Sequence, residues 1–319
     1  MAFTLASAQA LSQNKLTKYV IDEFRKSALI DKLVWDNNAK SQGGASFTYS
    51  YNRIQTLPTA GVRTIGGADY DPTEPVPEQI TTRLAIMGGA FDIDRALAAN
   101  EHEVVDLVDF LVQQKAQATV AEYANQFING NAAQNPALGE FDGLIRFVAG
   151  NQNQVIDTAV TLNSNANITS NWNQLLDLMR QARARMDKAP TLWLMNQDMY
   201  AVWQSVMDRA GINVLSKQEY GYEVSQWGPS LVMALGDIPG SSNPIIATSD
   251  LGVTSMYGIY AGLDGVHGIA PDNGSFVKTY LPNFQNAAAV QRGAVEMIAG
   301  LAIKSLRSVV CLNNIDIIA

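Results

Sequence analysis

Apolar and polar side chains alternate through "ASFTYSYNRI". Phe47, Tyr49 and Tyr51 fall on one side and Ser46, Thr48 and Ser50 on the other, the period-two pattern of a strand. A second strand pattern, "ITTRLAIMGGAFDID", is interrupted by Gly88-Gly89. Between them runs "QTLPTAGVRTIGGADYDPTEPVPEQ", rich in Gly and Pro and acidic at Asp69, Asp71, Glu74 and Glu78. Residues 41–94 are therefore expected to form a long two-stranded arm with an irregular tip. Such a ribbon is marginally stable alone and needs a partner surface, here expected to be another molecule.

Residues 100–129 carry the clearest helical signal. Asn100 is placed to cap the helix, and Glu101, Glu103 and Asp106 sit where the helix dipole favours negative charge. Val104, Leu107, Val108, Leu111, Ala118, Ala121 and Ile128 are read as its apolar stripe. At 1.5 Å per residue the helix would span roughly 45 Å, and Gly130 marks its end. In the following "NGNAAQNPALGEFDGL", Pro136 and Gly139 are expected to turn the chain, with Phe141 and Leu144 buried. "LIRFVAGNQNQVIDTAVTL" reads as two short strands around a polar turn. "TSNWNQLLDLMRQARARMDKAP" reads as an amphipathic helix capped by Ser170 or Asn171 and followed by Pro190. "TLWLMNQDMYAVWQSVMDRAG" passes from a buried strand straight into a helix. "SLVMALGDIPGSSNPIIATSD" and "TSMYGIYAG" are short strands, and "NAAAVQRGAVEMIAGLAIKSLRSVVCLNNIDI" is a closing buried β segment. Upstream, residues 1–40 form an arm with Val20, Ile21, Phe24, Ala28 and Leu29 at helical spacing. Lys15, Lys18, Arg25, Lys26, Lys32 and Lys40 outnumber the arm's acids, Asp22, Glu23, Asp31 and Asp36. Separated helices and antiparallel-looking strands make the class α+β, with no βαβ alternation.

Composition sharpens this picture. Of 319 residues, 47% are apolar and only 16% charged, below the quarter or so usual for soluble domains. Either much of the surface lies in subunit contacts or the chain is simply charge-poor. A net charge of −8 argues against a dedicated nucleic-acid binder. The one cysteine, Cys311, excludes an intrachain disulfide framework and fits a reducing compartment. No apolar run approaches the roughly 18 residues of a membrane span, and the N-terminus lacks a signal-peptide pattern. A soluble protein made in the cytoplasm is expected.

Candidate chemistry is sparse. His102 and His267 are too few for a multi-histidine site and are read as structural, and Cys311 as a small buried hydrophobe. Asp69, Asp71 and Glu74, or Asp92 with Asp94, could ligate calcium, but neither group has the spacing of a calcium loop. The glycine-rich stretches lack a Gly-Lys-Ser/Thr ending and do not join a strand to a helix. The glycosylation-like triplets at Asn167 and Asn273 mean little without a secretory signal. No catalytic, cofactor-binding or metal residue is assigned, and no cofactor is expected.

The order of the parts is the informative feature, from arm to β hairpin to long helix to Gly/Pro corner, then a mixed region and a terminal β segment. With the exit Asn129-Gly130-Asn131 to Phe141-Asp142-Gly143-Leu144, the passage Leu192-Trp193-Leu194-Met195-Asn196, "SLVMALGDIP" and "FQNAAAVQRGAVEMIAGLAIKSL", the chain resembles the major capsid protein of tailed bacteriophages, the Hong Kong 97-like fold. The resemblance implies an N-terminal arm (1–40), an extended hairpin loop (41–94), and a peripheral domain (95–189) with a spine helix over 100–129. It also implies an axial domain (190–272) and a return to the peripheral domain (273–319). It further implies a structural subunit of an icosahedral virion head around double-stranded DNA, made in the host bacterial cytoplasm. The expected partners are copies of itself in pentamers and hexamers, a portal, a scaffolding protein, a decoration protein, and packaged DNA contacted non-specifically, with no membrane. Met1 favours a scaffold encoded separately. Some relatives cross-link a loop lysine to a neighbour, but residues 41–94 contain none, so noncovalent contacts are expected to hold the shell. Two alternatives remain, an encapsulin-type nanocompartment shell and, from another class, a metal-dependent hydrolase using the Asp/Glu clusters.

Overall fold

A computed structural model describes residues 28–39, 48–56, 58–67, 69–94, 101–133, 139–212, 215–219, 222–271, 277–283 and 288–317. The helical spacing expected around Val20, Ile21 and Phe24, the cap at Asn100, the strand position of Phe47 and the turn at Pro136 lie outside those residues.

The described chain opens with α1 (Ala28–Lys32) and β1 (Trp35–Ala39), then the ribbon strands β2 (Thr48–Thr56) and β3 (Val76–Arg83), then β4 (Ala85–Asp94). Next come α2 (Glu101–Asn129), α3 (Leu144–Ala149), β5 (Val155–Thr161), α4 (Asn165–Arg185), β6 (Leu192–Met195) and α5 (Gln197–Arg209). The remainder is β: β7 (Leu215–Glu219), β8 (Tyr222–Trp227), β9 (Ser230–Ala234), β10 (Val253–Ile259), β11 (Val266–Pro271), β12 (Val277–Tyr280), β13 (Val290–Ile303) and β14 (Val309–Asp316).

Four expectations are corrected. The second strand of the expected hairpin is two strands: β3 pairs with β2, and after Leu84 the chain continues as β4 into a different sheet. Gly88-Gly89 does not break β4, whose ten residues pair with β13 without a register shift. A Cβ at Gly88 would lie 2.2 Å from the Val295 carbonyl oxygen, so glycine marks a close backbone approach here. Leu144–Ala149, read as strand, is a helix that buries Leu144 and Val148, one turn apart, and leaves Ile145 and Arg146 exposed. In α4 the cap is Ser164, whose hydroxyl accepts from the Asn167 N–H at 3.2 Å. Its first turn is polar, so apolar periodicity begins a turn late, and Ser170 instead donates to the carbonyl of Ala166. Trp35–Ala39 adds a strand that the arm did not announce.

One sheet has the order β1-β11-β13-β12, with β4 also paired to β13; a second has the order β5-β14-β10-β6-β9-β8-β7. The closing β segment thus divides, β13 entering the first sheet and β14 the second. Strands from both sides of residues 190–272, β5 and β14, share the second sheet with β6 and β10.

The second sheet is apolar on both faces. Leu192, Leu194, Tyr257, Ile259, Val309 and Cys311 face one core together with α2, β4 and β13. The alternate residues Trp193, Met195, Met256, Val310 and Leu312 face the other core, under α4 and α5. This explains continuous apolar runs such as "LWLM" where a half-exposed strand would alternate. The passage from β6 to α5 is fixed by the buried Asn196, which accepts from the Met199 N–H at 2.8 Å and donates to Thr248 at 2.7 Å.

α2 packs across β4 and β13. Its buried line is Val108, Val112, Ala116, Val120, Tyr123 and Phe127, a stripe shifted from the expected one, since Ala118 and Ala121 are only half-buried. Phe141 and Leu144 are fully buried as expected, Phe141 against Tyr123 at 6.1 Å. Gly130 follows the helix but is not left-handed. It is glycine because the corner closes on itself: the Gly143 N–H donates to the Gly130 carbonyl at 2.9 Å. A Cβ on Gly143 would come within 2.7 Å of the Gln126 and Ile128 carbonyl oxygens.

The ribbon is rooted on the first sheet. Tyr49 and Tyr51 pack on Leu84, Ile269, Ile298 and Ala302. The Tyr51 hydroxyl donates to the Ile303 carbonyl at 2.7 Å, Thr82 donates to the Leu301 carbonyl at 3.1 Å, and Tyr49 donates to Asp36 at 2.9 Å. Burial, reinforced by Asp36, pushes the Tyr49 phenol up to about 12. Beneath the Tyr49 ring, edge-on at 6.0 Å, lies His267, fully buried, with no side chain among the described residues hydrogen-bonded to its ring nitrogens. Burial, then the Lys304 cation, holds its pKa below the usual histidine value, against an opposing pull from Asp36.

Two outcomes follow from this packing. Gly143→Ala is expected to destabilise dissociated subunits by about 3 kcal/mol, because backbone atoms cannot yield as side chains do. Gly236→Ala, where a Cβ meets nothing, is expected to be near neutral, and urea titration compares the two. His267 refuses a proton that the unfolded chain accepts, so stability is lost as pH falls below about 6.5 toward the lower folded value. Urea midpoints across that window should therefore fall less in His267→Leu than in the wild type.

Candidate assembly surface

Beyond its root the ribbon leaves the protein. Among the described residues β2 and β3 pair only with each other, and the described residues from 58 to 75 are all exposed. Val62 and Ile65 are as accessible as in an unfolded chain. The sequence gives the tip local order without burial. Thr73 joins the two sides, accepting from the Thr59 N–H at 2.9 Å. A turn from Thr64 to Gly67 closes with a 3.1 Å backbone bond and places Gly66 at φ +79°, the left-handed position that favours glycine. The Arg63 guanidinium lies over the Tyr70 ring at 5.8 Å. Midway down, Arg53 pairs with Glu78 at 2.7 Å across the ribbon. Large apolar side chains exposed on a two-stranded ribbon mark an interaction surface.

At the root, the ribbon and the corner following α2 enclose an open cleft of about 760 Å³. Ile80, Phe147, Leu301 and Leu306 supply apolar lining, and Arg83 and Arg146 stand at its exposed rim. Its two acids are engaged: Glu78 holds Arg53, and Asp142 accepts from the Ala132 N–H at 3.1 Å. Sequence reading missed this cleft because its walls come from four separate stretches, around residues 51–53, 78–83, 132–151 and 301–306, with no shared motif.

The candidate chemical residues do not converge. Asp69, Asp71 and Glu74 lie on the exposed tip. Asp92 sits on β4 in a bidentate pair with Arg292, at 2.7 and 2.9 Å, and that guanidinium holds its pKa below the usual carboxylate value. Asp94 lies at the end of β4, His102 at the start of α2, and His267 under the ribbon root. Cys311 is buried in the core beside Tyr257, and burial pushes its thiol up to about 12. That environment suits packing and disfavours thiolate chemistry. Among the described residues, no three His, Cys, Asp or Glu side chains gather where a metal could be held. Among the same residues, no helix is long and apolar enough to cross a membrane.

No protein-family profile matches the sequence, and no curated protein matches it. Solved structures do match in three dimensions over most of the chain. The SrpI encapsulin complex from Synechococcus elongatus aligns with a TM-score of 0.57 at 15% identity, covering 90% of this chain and 87% of that one. The capsid of a native GTA particle aligns at 0.57 with 11% identity, covering 92% and 91%. A structure from Mycobacterium phage Bobi aligns at 0.56 with 10% identity, covering 89% of each chain. Identities this low speak for fold alone, and they agree with the element order, the rooted ribbon and the long helix: the chain has the α+β Hong Kong 97-like fold.

Proposed function

We propose that this chain is the major capsid protein of a tailed bacteriophage, a structural subunit that assembles into the icosahedral head around double-stranded DNA. The observation that carries the reading is the ribbon, firmly rooted at Tyr49 and Tyr51 yet wholly uncovered at its tip. A two-stranded projection with exposed Val62, Ile65 and Tyr70 is stabilised when a second subunit covers it. The Hong Kong 97-like fold, shared with a GTA particle capsid and with a structure from a Mycobacterium phage, supports that second subunit being another copy of the same chain.

On this reading residues 1–40 are the N-terminal arm and the loop of 41–94 has β2–β3 as its projecting part. On the same reading residues 95–189 and 273–319 are the peripheral domain, with α2 as its spine helix, and residues 190–272 are the axial domain. Copies meet in pentamers and hexamers, with a portal and a separate scaffolding protein completing assembly and a decoration protein as a further partner. DNA is touched non-specifically, in keeping with a chain of net charge −8. The role is structural and not catalytic, and the place is the virion, after synthesis in the host cytoplasm. The likeness to an encapsulin supports a second reading, a nanocompartment shell. Electron microscopy of particles from the native source separates them: DNA-filled heads with portal and tail for the first, enzyme-filled closed shells for the second.

Deleting residues 58–75 is expected to leave a folded, soluble subunit that forms no closed shells, as judged by size-exclusion chromatography and electron microscopy. Normal shells from that deletion would remove the ribbon from the assembly mechanism.

A further inference from the structure

Building on the shell reading, we propose that the acidic ribbon tip of one copy docks in the cleft at the ribbon root of the next copy, a head-to-tail contact. Tip and cleft complement each other in charge and in apolar character. The tip segment Asp69-Tyr70-Asp71-Pro72-Thr73-Glu74-Pro75 presents three carboxylates around an exposed aromatic ring, against the single opposing cation Arg63 over that ring, and its two prolines bias it to extended backbone. The cleft presents the reverse, with Ile80, Phe147 and Leu306 as apolar lining between the exposed guanidinium groups of Arg83 and Arg146. Among the described residues neither guanidinium has an ion-pair partner. With Glu78 and Asp142 already engaged, the rim is locally cationic in a protein that is otherwise acidic.

A tip cannot fill its own cleft. The cleft is walled by the ribbon's root at Tyr51 and Ile80–Arg83, and the tip lies at the other end of the same ribbon. From Tyr51 to Thr56 alone the strand carries the chain about 17 Å away. A tip docked in the cleft must therefore come from a second copy. Because tip and cleft are different surfaces, the contact is heterologous and propagates around a ring until it closes. Tyr70 would lie against Phe147 and Leu306, with the flanking carboxylates reaching the two arginines.

A charge swap in the full-length chain tests this. Arg83→Glu with Arg146→Glu is expected to lower the yield of closed particles by about tenfold or more, as is Asp71→Lys with Glu74→Lys. The four changes together should restore most of it. Unchanged thermal melting of each variant's dissociated subunits shows that the loss is one of assembly. A second, direct readout is Tyr70→Cys with Leu306→Cys, expected to give an oxidation-dependent ladder of linked copies in assembled particles that neither single variant gives. The proposal is overturned if the cleft reversal leaves particle yield unaltered. It is also overturned if both reversals block assembly but their combination does not rescue it and no ladder forms, which would place some other acidic partner in the cleft. A wild-type chain that stays monomeric at every concentration sinks the shell reading itself, an outcome separate from either of those.

Discussion

The antiparallel ladder between β4 and β13 is the constraint from which the other parts take their positions. Ten consecutive residue pairs, Ala85 with Ala299 through Asp94 with Val290, run without a bulge. One face of this ladder receives α2, and Met87, Phe91, Val295 and Met297 join Val112, Tyr123 and Phe127 in a single core. On its other edge β13 carries first β12 and then β11, and β11 in turn carries β1. The ribbon is continuous with it too, since only Leu84 separates β3 from β4. A slip of one residue would turn the buried set of β4 outward, moving the helix seat and the ribbon root together.

Where strands cross, a bulky ring repeatedly lies over a glycine of the neighbouring strand. Trp35 covers Gly268, Phe91 covers Gly293 and Trp193 covers Gly258, each pair in direct register. A Cβ at any of these glycines would fall within 3.0 Å of the ring it faces. The gain is packing: the flat ring replaces the missing side chain and fills the pleat to the density of a protein interior. Three such pairs in both main sheets make the cores specific as well as apolar, and they hold β1, β4 and β6 to one register each.

Much of this was legible from the sequence, for identifiable reasons. α2 is long enough to repeat its pattern several times, and "LWLMN" joins a run too apolar for a surface strand to a capping asparagine, so both were read correctly. α3 was missed because six residues hold less than two turns, and the pair Leu144/Val148 is hidden among residues that suit a strand equally well. β4 was misassigned because Gly88-Gly89 looks like a break when the partner strand is unknown. Only the 2.2 Å approach to the Val295 carbonyl shows why a side chain is excluded there. The cleft was illegible in principle. Arg83, Arg146 and Leu306 lie in separate segments, and nothing local to any of them records that the corner after α2 returns to face the ribbon.

The contrast between the ribbon's two ends carries the mechanical argument. Its root is held by two half-buried tyrosines, a phenol-to-carbonyl bond and a threonine-to-carbonyl bond, so the direction in which it leaves the body is fixed by the core. Its tip, among the described residues, is ordered by the Thr59–Thr73 link, one turn, the Tyr70 N–H donating to Asp69 and a ring under a guanidinium, with no burial to resist deformation. A shell built of one chain must place chemically identical contacts at slightly different angles. On the proposed reading the division of labour answers that demand: the rigid root sets which neighbour is reached, and the soft tip absorbs the angular difference. The charges suit the same purpose. Carboxylate–guanidinium attraction at a solvated rim varies slowly with distance, so it tolerates small displacements that would break a tightly interdigitated apolar contact. A ribbon stiff to its end would hold one geometry more tightly but could not serve several.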